Sequence, residues 1–278
     1  MTGMAAAPLP ARLDPHPLAR RKGDVLGVKV STIDLATLQQ AIDEAVQNRT
    51  RLAISFVNPN YLMRAHADAD LRARMNSFDI MLADGWGVVW GGRLLGVPIP
   101  TRLANDDVGE DLFRQSAAHG YRTFLFGSAH GIAARAAETL TRAFPDLPIV
   151  GTLHGYFDVD KGHPGWYDDE DEALIVETIN AANPDIVWVG VPTPLQQRWV
   201  TRNLERLVAP VIITGGSYLD HLAERINWYP RWINAMRLGW LYRLRREPGR
   251  LWYRYSIELL RYGRLVARER LARTFGAK

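Results

Sequence analysis

The 278-residue sequence contains no cysteine, which excludes a disulfide scaffold, a thiolate metal site and a cysteine nucleophile. It also has no run of about 18 apolar residues, the length a helix needs to cross a bilayer. Excess charge is scarce: 34 Lys+Arg against 30 Asp+Glu leave +4, too little by itself to mark a nucleic-acid binder. Residues 1–22 lack the continuous apolar stretch of a secretory signal, and Pro8, Pro10, Pro15 and Pro17 would break an amphipathic targeting helix, so a flexible leader is expected. What the chain does have is 47% hydrophobic residues, enough for one large core, and one globular domain with appendages is the first reading.

From Val25 onward, seven short apolar runs alternate with helical patterns: 25–30, 52–57, 78–82, 122–127, 148–153, 185–190 and 210–214. Their β-branched and aromatic residues show little polar alternation, as expected of strands in a parallel sheet covered on both faces. Between them, Leu35, Leu38, Ala41, Ile42 and Ala45 share one helix face, as do Ile132, Ala136, Leu140 and Phe144. The expected fold is a doubly wound, Rossmann-like α/β layer over residues 23–224.

The composition changes near Arg225. Residues 225–278 hold fourteen Lys+Arg against three Asp+Glu, so the rest of the chain is net negative. The same segment holds Trp228, Trp232, Trp240 and Trp252 and five of the ten tyrosines. Arginine beside amphipathic aromatics suits a membrane–water interface or a phosphate-rich partner. Trp252, Tyr255, Leu259, Tyr262 and Val266 form one helical stripe, with Arg250, Arg254, Arg261 and Arg268 roughly opposite. Such a helix can dock on the sheet with a solvated basic face, contact a membrane, or do both.

Ligands of open parallel sheets collect beyond the carboxyl ends of the strands, so residues just after each run are the first functional candidates. Asn58-Pro59-Asn60 offers amides for a ligand, or a helix cap. Asp84, followed by Gly85, can accept a proton from a hydroxyl nucleophile, or can cap the next helix. Arg102 lies in a loop with Asn105 and Asp106 and can neutralise phosphate oxygens, or can pair with local acids. Gly85, Gly87 and Gly91 come close to a dinucleotide fingerprint, with Asp106 about 20 residues on, but bulky Trp86 stands in the turn and the strand is the third. A nicotinamide-dependent oxidoreductase is therefore kept as an alternative. The Asp68/Asp70 and Asp158/Asp160 pairs read as a helical face and a polar loop, and the seven histidines lack metal-ligand spacing, His154 and His221 alone falling near strand ends. No metal site is expected.

Several blocks occur together in order: Asn58-Pro59-Asn60, 83–89 around Asp84, Arg102, 151–157, Pro184-Asp185, 190–199 with Gln196, and 239–244 followed by Glu247-Pro248 and Arg250. In these the chain resembles the WecG/TagA/CpsF family of bacterial glycosyltransferases, from about Val25 to Arg254. The resemblance implies metal-independent, inverting transfer from a UDP-sugar to a polyprenyl-diphosphate-linked saccharide at the cytoplasmic membrane face, in surface-polysaccharide synthesis. It implies no cofactor, peripheral attachment to an anionic membrane, no nucleic-acid partner, and self-association in some members. By the same resemblance Asp84 is the catalytic base, Arg102 and Gln196 contact the nucleotide-sugar or its diphosphate, and Asn58 lies in the substrate pocket. Asn60, Gly85, Asn105, Asp106, Gly127, Gly190 and Gly215 are assigned to the same pocket. Residues 225–278 are expected to close the site at the membrane, with Arg243, Arg250 and Arg254 toward the acceptor diphosphate, Arg254 displaced by one residue from the family pattern. Two departures bear on donor identity: Phe56 replaces a common Thr, and Asn105 replaces a common Gly. A non-catalytic membrane or nucleic-acid adaptor is the remaining alternative; it would not need the Asp84 and Arg102 blocks at strand ends.

Overall fold

The computed structural model of the chain describes residues 21–156, 167–224 and 257–275. The leader through residue 20 and the tail residues Trp228, Trp232, Trp240, Arg243, Arg250, Trp252, Arg254 and Tyr255 lie outside them, as do Asp158 and Asp160.

The first apolar run is not one strand. It is a hairpin of β1 (Lys22–Val25) and β2 (Val28–Ser31), antiparallel, with Val25 opposite Val28. Leu26 and Gly27 turn the chain with φ of 56° and 88°, and Asp24 Oδ1 accepts the Gly27 N–H at 3.0 Å. A two-residue turn with both central φ positive matches the twist of paired strands, so the hairpin closes although only one turn residue is glycine.

The other six runs are the six parallel strands of one sheet, in the order β4-β3-β8-β7-β5-β6. These are β3 (Leu52–Val57), β4 (Ile80–Ala83), β5 (Thr123–Gly127), β6 (Ile149–Leu153), β7 (Ile186–Gly190) and β8 (Val211–Thr214). Strand alternation splits the apolar side chains between two cores. Ala53, Val57, Met81, Phe124, Phe126, Val187, Val189 and Ile212 face one. Leu52, Ile54, Ile80, Leu82, Leu125, Ile186, Trp188, Val211 and Ile213 face the other.

Helices cover both faces. On the first lie α2 (Pro59–Ala67), α3 (Ala69–Asn76), α4 (Trp86–Leu94), α7 (Asp169–Ala181) and α8 (Leu195–Asn203). On the second lie α1 (Leu35–Gln47), α5 (Asn105–His119), α6 (Ile132–Ala143) and α9 (Tyr218–Glu224). The expected apolar stripe of α1 is buried through Leu38, Ala41, Ile42 and Ala45, and Asp34 starts the helix by accepting the Thr37 N–H at 2.9 Å. Asp68 caps α3 in the same way, while Asp70 pairs with Arg74 at 2.8 Å, so this Asp pair serves helix structure.

The last described element, α10 (Leu259–Phe275), docks on the first face beside α4. Tyr262 and Val266 are buried as their stripe predicts, whereas Leu259, expected on that stripe, is 46% exposed.

Every adjacent strand pair except β4/β3 is followed by helices on opposite faces, among them β3/β8, with α2 against α9, and β5/β7, with α6 against α8. Such reversals open crevices at the carboxyl edge of a parallel sheet.

Candidate active site

The carboxyl ends of β3 and β4 are locked side by side. Val57 pairs with Ala83, and the Asp84 N–H donates to Val57 O at 2.8 Å, so Asn58 and Asp84 leave neighbouring strands at the same level. Asn58 holds the cap role weighed for it: its Oδ1 accepts the Tyr61 N–H at 3.1 Å and starts α2. Its Nδ2 makes no hydrogen bond among the described residues, and Asn60 follows half-buried in the first turn.

Asp84 does not occupy the corresponding position. The cap residue of α4 is Gly85, at φ 121°, and it supplies no side-chain cap. A left-handed φ of this kind favours glycine. The half-buried Asp84 carboxyl therefore stands at the strand end ahead of the helix.

The glycines that resemble a dinucleotide fingerprint have another use. Gly87 and Gly91 lie inside α4, where a Cβ would come within 2.8 Å of Pro59 Cγ and 2.1 Å of Tyr262 Oη respectively. They permit close packing by α2 and α10, so their spacing reflects helix contacts and not a phosphate-binding turn.

The loop bearing Arg102 is tied to the same strand end, because the Leu103 N–H donates to Ala83 O at 3.0 Å. Arg102 itself pairs with Asp107 Oδ1 at 2.5 Å, so the local-acid reading of this arginine holds in the structure. Burial pushes the Asp107 carboxyl above its ordinary pKa, and the Arg102 guanidinium opposes that shift. A partly buried arginine held by a carboxylate that resists ionisation can exchange it for a more strongly charged phosphate.

Asn105 and Asp106 open α5 facing the ends of β8 and α9. Asn105 Nδ2 donates to Gly215 O at 3.4 Å, while its buried Oδ1 has no hydrogen-bond partner. Asp106 Oδ1 lies 3.5 Å from Nδ1 of His221 on α9. Gln196 is buried and spends both polar groups internally, accepting the Gly216 N–H at 3.0 Å and donating to Thr193 Oγ1 at 2.9 Å. It thus braces the loops after β7 and β8.

At the β5/β7 crevice, Gly127 pairs with Gly190, and a Cβ on Gly127 would lie 2.3 Å from Gly190 O. Close backbone approach, with φ 136° at Gly127, is what demands glycine there. The next residue, Ser128, donates its hydroxyl to Asp220 Oδ2 at 3.0 Å, and the His130 and His154 rings pack together, tilted by 35°, with centroids 3.6 Å apart. Burial first, and the neighbouring His130 second, hold the His154 pKa below its ordinary value. Ser128, His130 and Asp220 were not singled out from the sequence; the position after a strand end was the signal for the first two.

The structure therefore brings Asn58, Asn60, Asp84, Gly85, Arg102, Asn105, Asp106, Gln196, Gly215 and the Gly127/Gly190 pair to one edge of the sheet. Phe56 is buried in the core beneath α1, α5 and α9. Arg243, Arg250 and Arg254 lie outside the described residues. No group of three or more His, Cys, Asp or Glu suited to a metal ion occurs among the described residues.

A six-stranded parallel sheet with polar side chains gathered at its carboxyl edge is a Rossmann-like α/β fold of the kind that binds ligands at that edge. The sequence profile of the Glycosyl transferase WecG/TagA/CpsF family matches residues 23–276, and the chain belongs to that family. Its relatives include two proteins named N-acetylglucosaminyldiphosphoundecaprenol N-acetyl-beta-D-mannosaminyltransferase. One, from Bacillus subtilis (strain 168), is 27% identical over 225 residues, covering 81% of this chain and 82% of the relative. The other, from Staphylococcus aureus (strain MW2), is 24% identical over 246 residues, covering 87% and 91%. Glycosyl transfer is the chemistry of this family.

Proposed function

We propose that this glycosyltransferase moves a sugar from a UDP-sugar to a polyprenyl-diphosphate-linked saccharide, with inversion at the anomeric carbon and without a metal ion or other cofactor. The observation that carries the reading is the carboxylate of Asp84 at the end of β4, level with Asn58 and beside a loop that delivers Arg102. The names of the relatives support a lipid-diphosphate-linked acceptor.

In the reaction, the acceptor hydroxyl attacks the anomeric carbon as Asp84 takes its proton. The bond from that carbon to the UDP oxygen breaks on the opposite face, and the electron pair leaves with UDP. Arg102, exchanging Asp107 for the diphosphate, offsets the charge that builds there, a task that a divalent ion performs in other transferases. Asn58 Nδ2 and Asn105 Oδ1 are a donor and an acceptor available to sugar or nucleotide groups. No described helix is long and apolar enough to cross a membrane, and the proposed location is peripheral, at the inner membrane face.

The test is UDP release across a panel of UDP-sugars, with and without a synthetic polyprenyl-diphosphate-sugar acceptor, in EDTA. Acceptor-dependent release from one donor is the expected result and names the sugar. Release that requires an added divalent ion overturns metal independence, and acceptor-independent turnover of every donor overturns the transferase assignment.

A further inference from the structure

Helix α4 leaves the strand end that carries Asp84, and one of its faces stays open. The others are taken: Val88 and Val89 are buried in the core, Gly87 and Gly91 receive Pro59 and Tyr262, and Gly92 lies against Ile99. The open line is Trp86, Trp90 and Leu94, spaced by four and so one above another on the helix. Arg93 beside them is turned aside, its guanidinium donating to the Ile99 and Pro100 carbonyls at 3.0 and 2.8 Å.

The two indoles are stacked, with ring centroids 6.1 Å apart and planes 29° apart. Trp86 is half-buried and Trp90 is 60% exposed. Trp86 follows Asp84 by two residues, so their Cα atoms lie within about 7 Å, the reach of one sugar ring. On the neighbouring helix, Pro59 packs against the positions of Gly85 and Gly87, the glycines on either side of Trp86. Asn58 and Asn60 flank that proline, and the half-buried Asn60 side chain makes no hydrogen bond among the described residues.

We infer that Trp86 and Trp90 form a stacking platform for the saccharide of the acceptor, with Trp86 against the sugar whose hydroxyl Asp84 deprotonates. A pyranose has an apolar C–H face and a polar rim of hydroxyls. Its face suits a flat aromatic surface, and its rim suits amides and the indole N–H groups. Two observations favour a sugar over a hydrocarbon chain. The indole planes are nearly aligned, which a rigid ring exploits and a flexible chain does not need. The stack also begins beside a carboxylate and two asparagines, polar groups that a hydrocarbon would leave unpaired. The inference rests on the proposed reaction for the role of Asp84 and for a saccharide acceptor, and adds the side chains that hold that saccharide.

The test is calorimetric binding, by the full chain, of glucosyl, galactosyl, mannosyl and N-acetylglucosaminyl diphosphates carrying a short alkyl chain, and of the same alkyl diphosphate without a sugar. The parent is compared with Trp90→Ala, Trp90→Phe and Trp86→Leu, the last keeping an apolar contact to the core. Trp90 is exposed, so thermal unfolding of its variants should match the parent. On the glycosyl diphosphate that the parent prefers, Trp90→Ala and Trp86→Leu should each weaken binding about three- to tenfold, and Trp90→Phe less. Binding of the bare alkyl diphosphate and the thermal shift by UDP should not change. A parent that binds no glycosyl diphosphate more tightly than the bare compound overturns the inference, as does Trp90→Ala within twofold of the parent. Equal loss on the bare compound would assign the indoles to the alkyl chain, and loss on phospholipid vesicles alone would assign them to a membrane; either result overturns it. None of these readouts needs turnover, so failure of the proposed transfer reaction is scored separately, by UDP release.

Discussion

Gly91 and Tyr262 allow the docking of α10 to be measured as a coupled pair. A Cβ on Gly91 would lie 2.1 Å from Tyr262 Oη and 2.9 Å from Cζ, so Gly91→Ala forces the ring to shift. Overpacking of this kind costs about 1–3 kcal/mol, and alanine's higher helix propensity returns about 1 kcal/mol of that. Tyr262 Oη is buried with no hydrogen-bond partner, and burial alone raises its pKa. Removing an unsatisfied buried hydroxyl recovers its desolvation cost, so Tyr262→Phe should stabilise the protein by about 1 kcal/mol. In the double variant the closest clash is gone, and the pair should couple favourably by about 1 kcal/mol. Urea unfolding of the four proteins gives the cycle, and amide exchange over residues 259–275 shows whether the effect sits in α10. Destabilisation by Tyr262→Phe, or strict additivity of the two changes, would refute the packing argument.

Asp84→Asn should retain the fold and lower turnover by about two to four orders of magnitude, read by UDP release; unchanged turnover removes Asp84 as the base. Asn58→Ser preserves a capping oxygen while deleting the amide, so it should reduce turnover with little change in melting temperature, whereas Asn58→Ala should also cost about 1 kcal/mol of stability; equal turnover for parent and Asn58→Ser would confine this residue to capping. Arg102→Ala should weaken UDP binding, followed by thermal shift. It also removes the charge that opposes the raised Asp107 pKa. A carboxyl whose folded pKa lies above its unfolded value favours the folded state in its protonated form, so stability should fall as pH rises through the folded pKa, and the fall should be steeper without Arg102. Gly127→Ala should cost more than about 2 kcal/mol, since its Cβ would meet backbone at Gly190 as well as strain φ; near-parental stability in urea would refute that close approach.

Much of the architecture was legible because the six parallel strands are continuous apolar runs, a signature of burial on both faces. The hairpin was not: Val25–Val30 reads as one strand, since a turn through Leu26 at positive φ has little local signal. The strand-end rule found Asn58, Asp84 and Arg102, but residue type could not say which of them also caps a helix, because the cap depends on φ and ψ at the residue itself. It could not show that Gln196 is satisfied internally, nor that Ser128 meets Asp220, 92 positions away.

If the proposed donor site is correct, the brace formed by Gln196 bears on how donor preference can change. Asn105 reaches Gly215, Gly216 reaches Gln196, and Gln196 reaches Thr193, so one relay of hydrogen bonds joins the start of α5 to the loops after β8 and β7. A substitution at 105 is consequently transmitted to residues contributed by three separate crossovers. Exchanging one sugar for another by altering that position alone would leave the other loops tuned to the old residue. Variation at 105, 193 and 196 is therefore expected to be concerted, and libraries that randomise the three together should yield altered donors where single-site libraries yield only weakened enzymes.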